Sequence, residues 1–199
     1  VTNLRDTRGY EYRHICLLHD GCESVDMWAD FYNHSGRPAV LEMLSSFTLG
    51  GVTPFEDGMC ENTLVLHRMR STWSCEGRLD SRPVEELQLE PSWKCYSANS
   101  LRFGQLGSMP VREWTPFAAV EDVERGVVWA AATTHASSWQ MEAWRRDNAL
   151  VLSGGIADRE FGHWTKTVPP GGHFVAPPAV ITVVHGGVDE AAARLAESV

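Results

Sequence analysis

Apolar and polar residues alternate with a period of two through most of this chain, the pattern of strands with one face buried and one face wet. From Glu23 to Tyr32 the apolar positions are Val25, Met27, Ala29 and Phe31, and Asn33-His34-Ser35-Gly36 supplies the turn that ends the run. A second strand is predicted over Ala39 to Leu49, stopped by Gly50-Gly51. Thr63 to Trp73 alternates again, with Leu64, Leu66, Arg68 and Arg70 on one side and Val65, His67 and Met69 on the other. Thr115 to Glu121 and Gly126 to Thr134 read as strands joined by the short acidic turn Asp122-Val123-Glu124-Arg125. Trp139 to Arg146 and Ala149 to Ser153 form the clearest hairpin, turning at Asp147-Asn148. His173 to His185 follows the Pro169-Pro170-Gly171-Gly172 turn and reads as one more strand. Gly77 to Met109 is less regular and is expected to be a long excursion over the sheets.

The period changes only at the end. Val188 to Val199 reads as a helix with Asp189 as N-cap, Glu190 in the first turn, and Ala192, Leu195, Ala196 and Val199 on one face. Nothing earlier in the sequence is an obvious partner for that face, so the chain reads as a piece of a longer one. The economical architecture is all-β: one antiparallel two-sheet sandwich over residues 1–187, with residues 188–199 starting a helix.

Composition adds exclusions. The chain has 199 residues, 43% hydrophobic, enough for a real core, and a formal net charge of −9. That charge repels nucleic-acid phosphates, and no basic stretch offers itself to an anionic membrane surface. No apolar run approaches the ~18 residues of a membrane span. Five cysteines, odd in number and irregular in spacing, suit a reducing cytoplasmic compartment better than a disulfide scaffold. His14 and His19 stand five apart without a Cys-x-x-Cys or His-x-x-x-His partner motif, so no metal or other cofactor is expected.

The densest cluster of chemical groups is Asp158-Arg159-Glu160 with His163 and Trp164. On an extended strand Asp158 and Glu160 share a face about 7 Å apart and would approach a substrate from one side only. The cluster therefore reads as a clasp near a domain junction, with Trp164 as a packing residue. The acidic group Asp80, Glu85, Glu86 and Glu90 reads as a solvated loop face or an oligomer contact.

Several stretches in order carry a family resemblance. They are Leu41-Glu-Met-Leu-Ser-Ser-Phe-Thr-Leu-Gly-Gly51, Arg70-Ser-Thr-Trp-Ser74, Glu76-Gly-Arg78, Phe103-Gly-Gln105, Pro116-Phe117, Ala157-Asp-Arg-Glu-Phe-Gly-His-Trp164, Pro170-Gly171 and Pro177-Pro178. From about residue 20 onward the chain resembles the N-terminal β-sandwich domain of family 36 glycoside hydrolases, the large microbial α-galactosidases. The resemblance implies a supersandwich of the galactose mutarotase kind, with the C-terminal helix leading to an absent (β/α)8 barrel. In that family two barrel aspartates hydrolyse α-galactosides with retention, a reaction that needs carboxylates about 5 Å apart. Its Lys-Trp-Asp-like nucleophile motif does not occur here, so no catalytic residue is expected in this chain. The segment before residue 20, where some relatives carry an active-site aspartate or tryptophan, reads as truncated or altered.

The resemblance further implies that Trp73 extends toward the barrel's sugar site. An indole suits this task, since it covers the apolar face of a pyranose while its N–H donates to a hydroxyl. Arg78 is the second substrate-side candidate, a donor to sugar hydroxyls or to a carboxylate across the junction. The implied partners are the chain's own catalytic barrel, an α-galactoside in the intact enzyme, and further copies in a homo-oligomer. Two other readings stand beside this one. A free-standing mutarotase-like sugar epimerase would need a general acid and base, for which His135, His163 and Glu142 are available. A carbohydrate-binding module would need exposed coplanar aromatics, with Trp139 and Trp144 as candidates.

Overall fold

In the computed structural model, which describes all residues except 53–54, 56–59, 90–98, 147–148 and 199, alternation becomes two stacked sheets. The strands are β1 (Thr2–Arg5), β2 (Tyr10–Leu18), β3 (Ser24–Asn33), β4 (Ala39–Leu41), β5 (Ser45–Val52), β6 (Leu64–Arg70), β7 (Leu79–Pro83), β8 (Leu101–Gln105), β9 (Trp114–Asp122) and β10 (Val127–Thr133). After them come β11 (Trp139–Arg146), β12 (Ala149–Ile156), a one-turn helix α1 (Arg159–Gly162), β13 (Lys166–Val168), β14 (His173–Val175), β15 (Ala179–His185) and α2 (Val188–Glu197). The larger sheet runs β1-β2-β3-β15-β10-β9-β6-β7, with β14 also paired to β3; the smaller runs β5-β12-β11-β8. A separate ribbon joins β4 to β13. Every pairing is antiparallel.

The core lies between the two sheets. Leu64, Leu66, Ala118, Val120, Ala131 and Ile181 from the larger sheet meet Phe47, Phe103, Trp139, Met141, Leu150 and Leu152 from the smaller. Each set occupies alternate positions of its strands, as a period of two requires. The predicted Thr63–Trp73 strand is shorter, Leu64–Arg70, with residues 71–73 in the loop that follows; Leu64 and Leu66 point to the core and Met69 to the other side.

Three other expectations need correction. The predicted Ala39–Leu49 strand is two strands, because β4 pairs with β13 while β5 pairs with β12, and residues 42–44 carry the chain between them. The predicted His173–His185 strand is also two, β14 and β15, both on β3. Pro177 and Pro178 fall between them, where the missing N–H groups forbid a continuous ladder. The Gly77–Met109 excursion contains β7 and β8, one on each sheet. Before residue 20 the chain forms β1 and β2, hydrogen-bonded to each other and, through β2, to β3. They are fixed by Glu11, buried on β2, which accepts from Arg13 at 2.6 Å, from Arg5 at 3.0 Å and pairs with His34 at 3.0 Å. The expected turn at Asp147-Asn148 lies outside the described residues.

The C-terminal helix forms, and it has a partner. Ala191 and Leu195 are buried against Phe117, Ala119, Val128, Ala130, Val180 and Val184 on the outer face of the larger sheet. Val188 and Ala192 complete that stripe, whereas Ala196 is exposed. The N-cap is Gly187, not Asp189, which sits inside the first turn beside Glu190. The sequence signal for this docking was available: Val127–Thr133 and Ala179–Val184 are nearly continuous apolar runs, the mark of strands covered on both faces. Among the described residues no helix is long and apolar enough to cross a membrane.

Candidate functional site

Strand register brings several connections to one end of the sandwich. Arg70 at the end of β6 lies opposite Trp114 at the start of β9, and Thr133 at the end of β10 lies opposite Ala179 at the start of β15. In the smaller sheet the end of β8, the start of β11 and the end of β12 meet at Gln105, Trp139 and Ile156. Hydrogen bonds tie the loops at this end together: Ser71 N–H to the Glu113 carbonyl at 2.9 Å, and Gly107 N–H to Ser138 Oγ at 2.8 Å.

Trp73 stands at the tip of the β6–β7 loop. The loop closes through Arg70 N–H to the Arg78 carbonyl at 2.8 Å and Gly77 N–H to the Arg70 carbonyl at 2.9 Å. Ser74 and Gly77 turn the chain with φ of 65° and 76°. Trp73 is 88% exposed. Burying a large aromatic side chain is worth about 2–3 kcal/mol, so an indole left in water gains nothing for this fold. Beneath it the Arg70 guanidinium lies 3.7 Å and that of Arg68 4.5 Å from the Trp114 ring centroid. Asp80 pairs with Arg68 and with Arg82, the latter at 3.2 Å. Partial burial pushes the Asp80 carboxyl up, but these two guanidiniums more than offset it and hold it below the usual range. A groove of about 510 Å³ runs beside the loop, lined by Arg70, Thr72, Arg78 and Arg82 among others. Arg78 is exposed and makes no ion pair among the described residues. In the acidic group, Asp80 belongs to this network, Glu85 accepts from buried Arg145 at 2.7 Å, and Glu90 lies outside the described residues.

The Asp158 cluster is differently built. Asp158 and Glu160 do not share an extended strand, as expected from sequence, because Asp158 is the N-cap of α1. Its Oδ1 accepts from Phe161 N–H at 2.7 Å and its Oδ2 from Gln140 Nε2 at 3.0 Å, while its own N–H donates to Gln140 Oε1 at 2.9 Å. Arg102 comes within 3.7 Å of the same carboxylate, 2.9 Å of Glu160 and 3.1 Å of Glu142. Burial pushes the Asp158 carboxyl up, but the Phe161 N–H, Gln140 and Arg102 together hold it below the usual range. An ionised carboxylate has no proton to donate, and each oxygen of this one already accepts a hydrogen bond. Arg159 pairs with Glu42 through side chain and backbone. The sequence signal for the turn was Asp158 followed by Glu160, an N-cap and a first-turn acid. Gly104 makes room for the turn: a methyl there would overlap the Trp139 carbonyl oxygen and touch the Phe161 ring at 3.0 Å.

Of the residues available to a mutarotase-like enzyme, His135 and His163 line one cleft of about 620 Å³, together with Trp164. Glu142 is not among its lining residues; it is paired with Arg102. Trp139 is buried in the core and donates its indole N–H to the Pro110 carbonyl at 2.6 Å, so it offers no exposed ring. Sequence reading missed two features. One is the exposed apolar group Leu106, Met109 and Val111 on the β8–β9 loop, where no periodicity exists to find it. The other is buried His67, bonded to Ser81 Oγ at 2.8 Å and Glu121 at 2.9 Å. Burial holds His67 below its ordinary range although Glu121 pulls the other way.

No family model matches the chain, and no curated protein sequence matches it significantly. Solved structures do. The α-galactosidase of Lactobacillus brevis superposes with a TM-score of 0.77 over 96% of this chain and 23% of its own, at 16% identity. The GH36 α-galactosidase AgaA of Geobacillus stearothermophilus, solved with 1-deoxygalactonojirimycin, gives 0.78 over 96% of this chain and 24% of its own, at 15% identity. AgaB of the same organism gives 0.75 over 92% and 23%, at 15% identity. The chain thus spans under a quarter of the length of these enzymes, and its fold is that of a β-sandwich segment of GH36 α-galactosidases.

Proposed function

We propose that this chain is the non-catalytic N-terminal sandwich domain, residues 1–187, of an α-galactosidase-type glycoside hydrolase, with α2 leading toward a (β/α)8 barrel. The observation that carries the reading is the superposition over nearly all of this chain and under a quarter of each α-galactosidase. The domain packs on the barrel, aids assembly into a homo-oligomer and lends Trp73 to the wall of the sugar site. Support for the last role comes from the indole's exposure on a hydrogen-bonded loop, which also carries exposed Arg78 as a donor. AgaA has been solved with stachyose and with raffinose, so the substrate class proposed for the intact enzyme is a terminal α-galactoside. The odd cysteine count supports a cytoplasmic setting.

The test is nitrophenol release from p-nitrophenyl α-galactoside. The 199-residue chain alone is expected to release none, and a longer polypeptide carrying this chain followed by a (β/α)8 barrel is expected to release it. Activity of the short chain that disappears on Asp158→Ala or Glu160→Ala would overturn the reading.

A further inference from the structure

The structure points to a second site that needs no barrel: we propose that the cleft between the β10–β11 loop, α1 and the β14–β15 connection binds a neutral monosaccharide. Its volume, about 620 Å³, lies within the range of small-molecule sites. Part of the lining is apolar, with Pro177 and with the Trp164 ring 5.5 Å from that of Phe174. The lining also includes His135, Ser137, His163 and Thr165, groups that trade hydrogen bonds with hydroxyls. No carboxylate is among the residues lining the cleft, in a chain of formal net charge −9. That composition suits neither a metal ion nor a cationic ligand. It matches a pyranose, which has an apolar face and a rim of uncharged hydroxyls.

Two further details fit a binding site. His135 is half-buried, and burial holds its imidazole below the ordinary range, so near neutral pH the ring is uncharged and has both a donor and an acceptor nitrogen. His163 occupies the C-cap of α1 with φ of 55°, a left-handed position that favours glycine. A non-glycine residue is held there at a cost to the backbone, and it is one of the residues lining the cleft. The rim is braced: Ala157 N–H donates to the Ser138 carbonyl at 3.2 Å, and Thr134 Oγ1 donates to the Pro178 carbonyl at 2.9 Å.

The experiment titrates galactose, glucose and galacturonate into the ¹⁵N-labelled 199-residue chain and follows the Trp164 indole N–H and the amides of Ser137 and His163. A neutral hexose is expected to give saturable shifts at these positions with a Kd on the order of 1 mM, and galacturonate to bind no more tightly. His163→Gly is expected to weaken binding at least about tenfold while the thermal midpoint holds or rises, since glycine relieves the backbone. Absence of saturation below about 100 mM overturns the proposal, as does unchanged affinity in His163→Gly. Shifts confined to the Trp73 indole place sugar elsewhere and also overturn it, and tighter binding of galacturonate overturns the neutral class. None of these outcomes depends on whether a barrel hydrolyses α-galactosides, so the two readings fail separately.

Discussion

The Trp73 loop and the Asp158 turn, both at the loop end of the sandwich, are opposites. The turn concentrates the groups an acid–base enzyme would use, and the protein has satisfied nearly all of them. Asp158 accepts from Phe161 and Gln140, Glu160 pairs with Arg102, and Arg159 pairs with Glu42. The loop carries one large apolar side chain that the fold leaves in water. A dense cluster of charges is therefore evidence of chemistry only if its hydrogen-bonding capacity is still open. The exposed indole, by contrast, keeps its apolar face free for a partner.

The contrast can be broken by mutation. Asp158→Ala removes a helix cap and leaves Gln140 Nε2 without its acceptor, and is expected to cost about 2–3 kcal/mol in urea unfolding. A cost under about 0.5 kcal/mol would mean the cluster is not structural. Leu195→Ala, which empties the contact between α2 and the larger sheet, is expected to cost about 2 kcal/mol. No cost there would mean that the helix contributes nothing to the fold.

A smaller effect is the acid limb of the stability profile. The folded Asp158 carboxyl titrates below its unfolded value, so its contribution is present above the unfolded pKa of about 3.9 and is lost as pH falls through the folded one. Asp158→Asn is expected to flatten that limb relative to the parent while leaving a capping oxygen in place. An unchanged acid limb would show that the carboxylate's surroundings do not favour its charge. The smallest stability effect is expected for Trp73→Ala, within about 0.5 kcal/mol of the parent.

Much of this was legible in the sequence, and the misses have physical causes. The Trp139–Arg146 and Ala149–Ser153 hairpin was readable because Trp139, Met141 and Ala143 on one strand and Leu150 and Leu152 on the other alternate toward the core. β1 and β2 were hidden because their alternation places Glu11, Arg13 and Arg5 in an ion-pair network, which looks like a polar tail in one dimension. The breaks inside Ala39–Leu49 and His173–His185 were missed because changes of partner strand leave weak local marks, Pro177-Pro178 excepted. Trp73 and Arg78 are candidates through a resemblance alone; both side chains are exposed. The convergence of His135 and His163 could not be read, since a loop after β10 and a turn after β12 meet only in three dimensions.

The role proposed for Trp73 is recognition across a domain junction, not the stability of this domain. The most direct measurement compares hydrolysis of p-nitrophenyl α-galactoside by the barrel-containing polypeptide with and without Trp73→Ala, alongside the unfolding midpoint of each. The account predicts a KM raised about tenfold or more with the midpoint unchanged. Unchanged kinetics, or a loss of activity accompanied by an equal loss of stability, would contradict it.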